Sequence, residues 1–221
     1  MELMKVNDTL ANTTRAAHDV GLAAWLGGAM FGKFAHNPSL VKISDRSERG
    51  SVSNAAWNGY NTINTVGLGS AALGWAAARL TEANPGNLSA RERALSTAKD
   101  GLMVSSVLTG ALNGIQGARL ARQATDGAVP VETGTKPAPE TPPQAAKIQR
   151  SLGLLGNLNI ASGIALVAVN AVLAQTNHSR PSTSRALRRS SSQDNSVSPL
   201  WIGSGVATVA ALGDQLRRRL A

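Results

Sequence analysis

Three runs without a charged side chain constrain this chain more than any other feature. Gly50 to Ala78 holds 29 uncharged residues, Gly101 to Ala118 holds 18, and Ser151 to Ser179 holds 29 with His178 neutral. An amphipathic helix of a water-soluble bundle needs a polar and usually charged face at every turn or so. A run of about 18 or more residues with no charge is instead the mark of a helix that crosses a bilayer. A fourth run, Val20 to Gly32, reaches that length only with its flanks. Extended over 17–36 it gives about 30 Å of helix, with His18 and Asp19 at one interface and Lys33 near the other. A lysine so placed sends its ammonium to the headgroups while its stem stays in the apolar layer.

The expectation is an all-α fold, a four-transmembrane-helix bundle with a long polar loop and a basic C-terminal tail. Residues 1–16 form an N-terminal segment, 17–175 the membrane domain with spans at about 17–36, 60–78, 101–118 and 154–174, and 176–221 the tail. Trp57 and Tyr60 stand at one end of the second span and Trp75 at the other, where an interfacial aromatic belt is expected. The mean hydropathy of −0.07 is low for such a protein. It averages the spans with hydrophilic loops and with the Gly, Ser and Asn inside the spans. A soluble helical bundle is the competing architecture.

Residues 125–144 carry five prolines in a polar setting and read as a flexible loop without a regular element. The tail is rich in Ser and Arg, as a disordered basic segment is. Within it, 200–220 has apolar residues three or four apart, the pattern of an amphipathic helix lying on a membrane surface. Thirteen Lys and Arg fall on the side shared by the termini and nine on the opposite side. The bias puts both termini in the cytoplasm and the protein in the inner (plasma) membrane.

The net charge of +9 suits anionic partners. Headgroups of the inner leaflet explain it without nucleic acid, with Arg185, Arg188, Arg189, Arg217, Arg218 and Arg219 as the contacts. The chain has no cysteine, so disulfides, thiolate metal sites and cysteine nucleophiles are excluded. No HExxH, P-loop, GxSxG or paired-carboxylate pattern occurs, and no two histidines have metal-ligand spacing. Neither metal nor cofactor is expected.

Two polar groupings stand out. Asn54, Asn58 and Asn61 fall on one helical stripe, and "AWNGYNTIN" brings Trp57, Asn58, Tyr60, Asn61 and Asn64 together at an interface. Asn113, Gln116, Asn157, Asn159 and Asn170 add amides in later spans, with interhelical hydrogen bonding as the main reading and a solute path as the alternative. His18 and Asp19 form the second grouping; they point about 100° apart on a helix, and Asp19 has Arg15 one turn earlier as its expected partner. For helix packing, Gly28 with Gly32 and Gly110 with Gly114 are GxxxG pairs, and Ser70 with Gly74 is the small-xxx-small version. They serve contacts within the chain or a face for a second copy.

The order of "HDVGLAAWLGG", "ISDRSERG", "AWNGYN" and three further helices resembles small four-helix membrane proteins of actinobacteria with no assigned function, over about Ala16 to Gln175. The WNxxN element of Trp57, Asn58 and Asn61 is similar to one in anthrone-oxygenase-like membrane proteins. The resemblance implies a topology and no chemistry. The expected role is a non-enzymatic accessory or scaffold subunit of a membrane assembly, binding other membrane proteins or itself. A small carrier or channel with an Asn-lined interior is the alternative, and a membrane-embedded oxidoreductase comes third.

Overall fold

A computed structural model describes residues 2–124 and 128–178. The six tail arginines expected at headgroups and the helix expected at 200–220 lie outside the described residues. Four long helices make the fold: α1 (Glu2–Phe31), α2 (Arg46–Leu80), α3 (Ala90–Ala121) and α4 (Pro143–His178). Each has 30 to 36 residues, or about 45–54 Å, and so overruns its expected span at one or both ends.

Local chemistry sets the breaks. Pro38 has no N–H to give and its ring would strike the carbonyl of Phe34. The chain answers with a π-helical turn, Gly32–His36, in which the Asn37 N–H reaches back to Gly32 O. Asp45 then caps α2, its side chain accepting the Glu48 N–H at 2.7 Å. Ser89 and Glu92 form a reciprocal capping box at the start of α3. Pro143 opens α4 at a position where its missing donor costs nothing.

The expectation for residues 125–144 is corrected. Val131–Thr133 and Lys136–Pro137 form a two-stranded antiparallel hairpin. Val129, Val131, Ala138 and Thr141 are buried beneath it. Arg49 of α2 donates to the carbonyls of Ile43, at 2.6 Å, and of Glu132, at 3.2 Å. Arg46 bridges the carboxylates of Glu132 and Glu140 at 3.2 and 3.3 Å. The prolines sit where no ladder hydrogen bond is asked of them.

The helices associate as two antiparallel pairs with different chemistry. In the α1–α2 pair the backbones touch: a Cβ on Gly21 would strike Gly67 O, and one on Gly67 would meet Gly21 O at 2.9 Å. Further along this seam, Gly74 faces His18 and Thr14 O, Gly28 faces the Tyr60 ring, and Gly32 faces the Trp57 ring. The α3–α4 pair is instead joined by polar rungs. These are Ser105 Oγ to Ser162 Oγ at 3.0 Å, Asn159 Nδ2 to Thr109 Oγ1 at 2.8 Å and to Ser106 O at 3.2 Å, and Gln116 Nε2 to Ser151 Oγ at 3.1 Å. The two pairs meet around Trp25, fully buried against Gly163 of α4, and around Leu68, whose methyl group rests on Gly110 of α3.

By length and composition one helix, within Pro143–Thr176, is apolar enough to cross a membrane. The four spans expected from charge-free runs shrink to one on that measure, because Gly, Ala, Ser, Thr and Asn fill much of α1, α2 and α3. Only 33% of the most apolar window of α4 is buried by the rest of the fold. The central helix of a water-soluble bundle would be mostly buried.

Because Gly67 touches backbone rather than a flexible side-chain tip, Gly67→Leu should lower stability by about 1–3 kcal/mol or prevent folding. Gly27→Ala, at a position with open space beside it, should be neutral or slightly stabilising. Thermal unfolding of the two purified variants checks the contrast.

Candidate functional site

The largest convergence of polar side chains lies at the end of the bundle that holds the α2–α3 connection. Every long helix contributes to it: His18 and Asp19 from α1, Trp75 and Arg79 from α2, Lys99 and Asp100 from α3, and Asn170 from α4. The helical register explains the meeting. Gly74 admits His18 between α1 and α2, which leaves Trp75, the next residue, turned toward α3.

Lys99 is the centre. Its side chain is 2% exposed, its Nζ donates to Asn170 Oδ1 at 2.5 Å, and the same nitrogen sits 3.9 Å from the centroid of the Trp75 ring. Cation–π attraction of this kind strengthens where water is excluded. The indole N–H of Trp75 donates to Asp100 Oδ1 at 2.8 Å, and Arg79 binds the other oxygen at 3.1 Å. Asn170 completes the chain by donating from Nδ2 to Asp19 Oδ1 at 3.0 Å. His18 gives its Nδ1 proton to Ala71 O at 2.6 Å, since a carbonyl can only accept. The His18 ring lies 6.5 Å from that of Trp75.

Burial pushes the Lys99 ammonium down to about 8, against the opposing pull of Asp19 and Asp100. A drop of that size amounts to roughly 3 kcal/mol in favour of the neutral amine. The folded chain therefore binds this proton more weakly than the unfolded chain. Between about pH 8 and the ordinary lysine value, folding gains stability as pH rises.

The residues singled out from sequence separate into two places. His18 and Asp19 join the Lys99 network, yet Arg15 does not pair with Asp19. It reaches across to Glu82 beyond the end of α2, a partner 67 residues away. Trp57, Asn58, Tyr60, Asn61 and Asn64 lie in the other half of α2. Tyr60 donates to Trp25 O at 2.7 Å, Trp57 stacks edge-on with Tyr60 and His36, and both rings fill the grooves over Gly28 and Gly32. Asn58 and Asn61 are exposed on the outer face and Asn64 is half-buried, so these amides line no interior.

Among the packing residues, Gly28, Gly32, Gly74 and Gly110 meet side chains or backbone of neighbouring helices, and Ser70 touches the Gly21 position. Gly114 faces open space. Lys99, Trp75 and Asp100 were not found from sequence as site residues. Lys99 lies two residues before the uncharged run that begins at Gly101, which reads as an ordinary boundary charge. Only the facing positions of Trp75 and Asn170 reveal it as buried. Among the described residues no group of three or more His, Asp or Glu could hold a metal ion.

Lys99→Met keeps the chain length and removes the buried charge. Its melting temperature relative to the unaltered protein should be highest near pH 7 and should fall as pH rises toward 10, because the unaltered protein sheds its burial cost over that range. A difference that stays flat with pH would show that Lys99 titrates like an exposed lysine. No family model matches the chain, and no curated protein or solved structure compared with it is similar.

Proposed function

We propose that the protein is a four-span membrane bundle that serves as a non-enzymatic accessory or scaffold subunit of a larger membrane assembly. One observation carries the membrane part: large apolar side chains lie on the outside of the bundle as well as in its core, and polar ones are buried between helices. Large apolar side chains are exposed on every helix, including Val20 and Phe31, Val66 and Leu73, Leu108 and Ile115, and Leu154 and Leu158. Meanwhile Lys99, Ser106, Thr109, Asn159 and Ser162 are buried. Exposed apolar surface on this scale marks a membrane or protein contact.

The low hydropathy of α1, α2 and α3 does not oppose four crossings. Part of their small residues, Gly21, Gly28, Gly67 and Gly74 among them, lies in the inter-helix seams, where close approach and interhelical hydrogen bonds replace the hydrophobic drive that lipid removes. What decides insertion is the face turned to lipid rather than the helix average. The scaffold role is favoured over a carrier or channel by the filled interior: Trp25, Ala71 and Leu166 are fully buried at the middle of the bundle, and the exposed amides Asn58 and Asn61 point away from it. The termini would lie in the cytoplasm, with the basic tail against anionic headgroups.

Alkaline carbonate washing of membranes from cells making the full chain should leave it in the pellet; release into the supernatant removes the membrane reading. The absence of native cysteine makes topology easy to read. With four crossings, Asn87→Cys in the α2–α3 connection and Lys136→Cys in the hairpin should label from opposite sides of sealed vesicles. If only α4 crosses, both should label from one side.

A further inference from the structure

We propose that Lys99 is a proton-binding site that controls whether one end of the bundle is closed or hydrated, with the neutral amine holding the end closed and the protonated amine drawing water in. The observation beneath this is geometric. A single amine is the common contact of Trp75 on α2 and Asn170 on α4 while being rooted on α3, and Asn170 carries the connection to Asp19 on α1. No helix can shift at this end without disturbing what surrounds Lys99.

The groups facing the amine are named readily. From α1 come the imidazole of His18 and the carboxylate of Asp19; from α2 the Trp75 ring and the Arg79 guanidinium; from α3 Asp100, already engaged by Trp75 and Arg79; from α4 the amide of Asn170. The two carboxylates favour the charged amine, and Arg79 opposes it. Among the described residues one oxygen, that of Asn170, accepts from the amine at hydrogen-bonding distance, so an ammonium with three donors is under-supplied here. A neutral amine asks for less.

A groove of about 380 Å³, lined by Arg91 of α3 and Ala171, Val172, Gln175 and Thr176 of α4, lies at this end of the bundle. In the hydrated arrangement α3 and α4 part beside it and water reaches the Lys99 nitrogen. The ammonium would then gain the hydration it lacks in the closed arrangement, which is the differential interaction that a proton needs in order to shift the equilibrium. The device works in either medium and does not rest on the membrane role.

The test is hydrogen exchange on the purified full-length chain at pH 6.5 and 9.0, read as protection factors corrected for intrinsic rates. Segments 92–104 and 168–176 report this end, and 112–121 serves as the internal reference. With the amine at about 8 when closed and ordinary when hydrated, protection at this end should rise about tenfold from pH 6.5 to 9.0, with the reference unchanged. Lys99→Met should be well protected at both pH values, and Lys99→Arg, permanently charged, should be poorly protected at both. Equal protection of the unaltered chain at the two pH values overturns the proposal. So does a pH response retained in Lys99→Met or Lys99→Arg, which would assign the titration to another group such as His18.

Discussion

The approach of two backbones at Gly21 and Gly67 is the constraint on which the rest of the bundle depends. With no side chain between them, α1 and α2 lie close enough that each Gly meets the other's carbonyl. That spacing fixes where larger groups go. Tyr60 and Trp57 are laid over Gly28 and Gly32, His18 is set against Gly74, and Trp25 is sent inward to the contact with Gly163 that joins the two pairs. Glycine in a helix costs about 1 kcal/mol relative to alanine in backbone freedom. Here the cost is offset by dispersion contacts along a seam several turns long.

The second pair solves the same problem by other means. Between α3 and α4 the rungs from Ser105–Ser162 to Gln116–Ser151 pair polar groups that would be costly to bury alone. Hydrogen bonds across helices fix register as well as distance, because each donor must meet its own acceptor. The α1–α2 seam is fixed in register too, by Tyr60 on Trp25 O and by His18 on Ala71 O. The bundle thus combines a close-packed pair with a polar one, and the polar pair carries Lys99 near one end.

That last rung differs from the others in being charged. The Trp75 indole serves two functions at once, its face toward the Lys99 ammonium and its N–H toward the Asp100 carboxylate. One aromatic side chain therefore contacts the opposite charges of two adjacent residues on α3, which point about 100° apart on the helix. The Lys99 amine is buried while the carboxylates of Asp19 and Asp100 reach solvent, and a buried charge is sensitive to any change in protonation or hydration.

Sequence alone determined that this chain is mostly helical with four long helices, because runs without charge between polar stretches are visible within single segments. It did not place the helix starts: three of the helices begin at Arg46, Ala90 and Pro143, well before the expected 60, 101 and 154. The strands Val131–Thr133 and Lys136–Pro137 were not read from the sequence, where five prolines in a polar setting pointed to a loop. What only the tertiary structure decided is which face of each helix turns inward. The asparagines Asn58 and Asn61 share their helix with Tyr60 yet face outward, while Asn159 and Asn170 face a neighbour. Arg15 chose Glu82 over the nearer Asp19 for the same reason. Rotation of a helix about its axis is set by close packing against other helices, and neighbours distant in sequence leave no trace in the residues beside them.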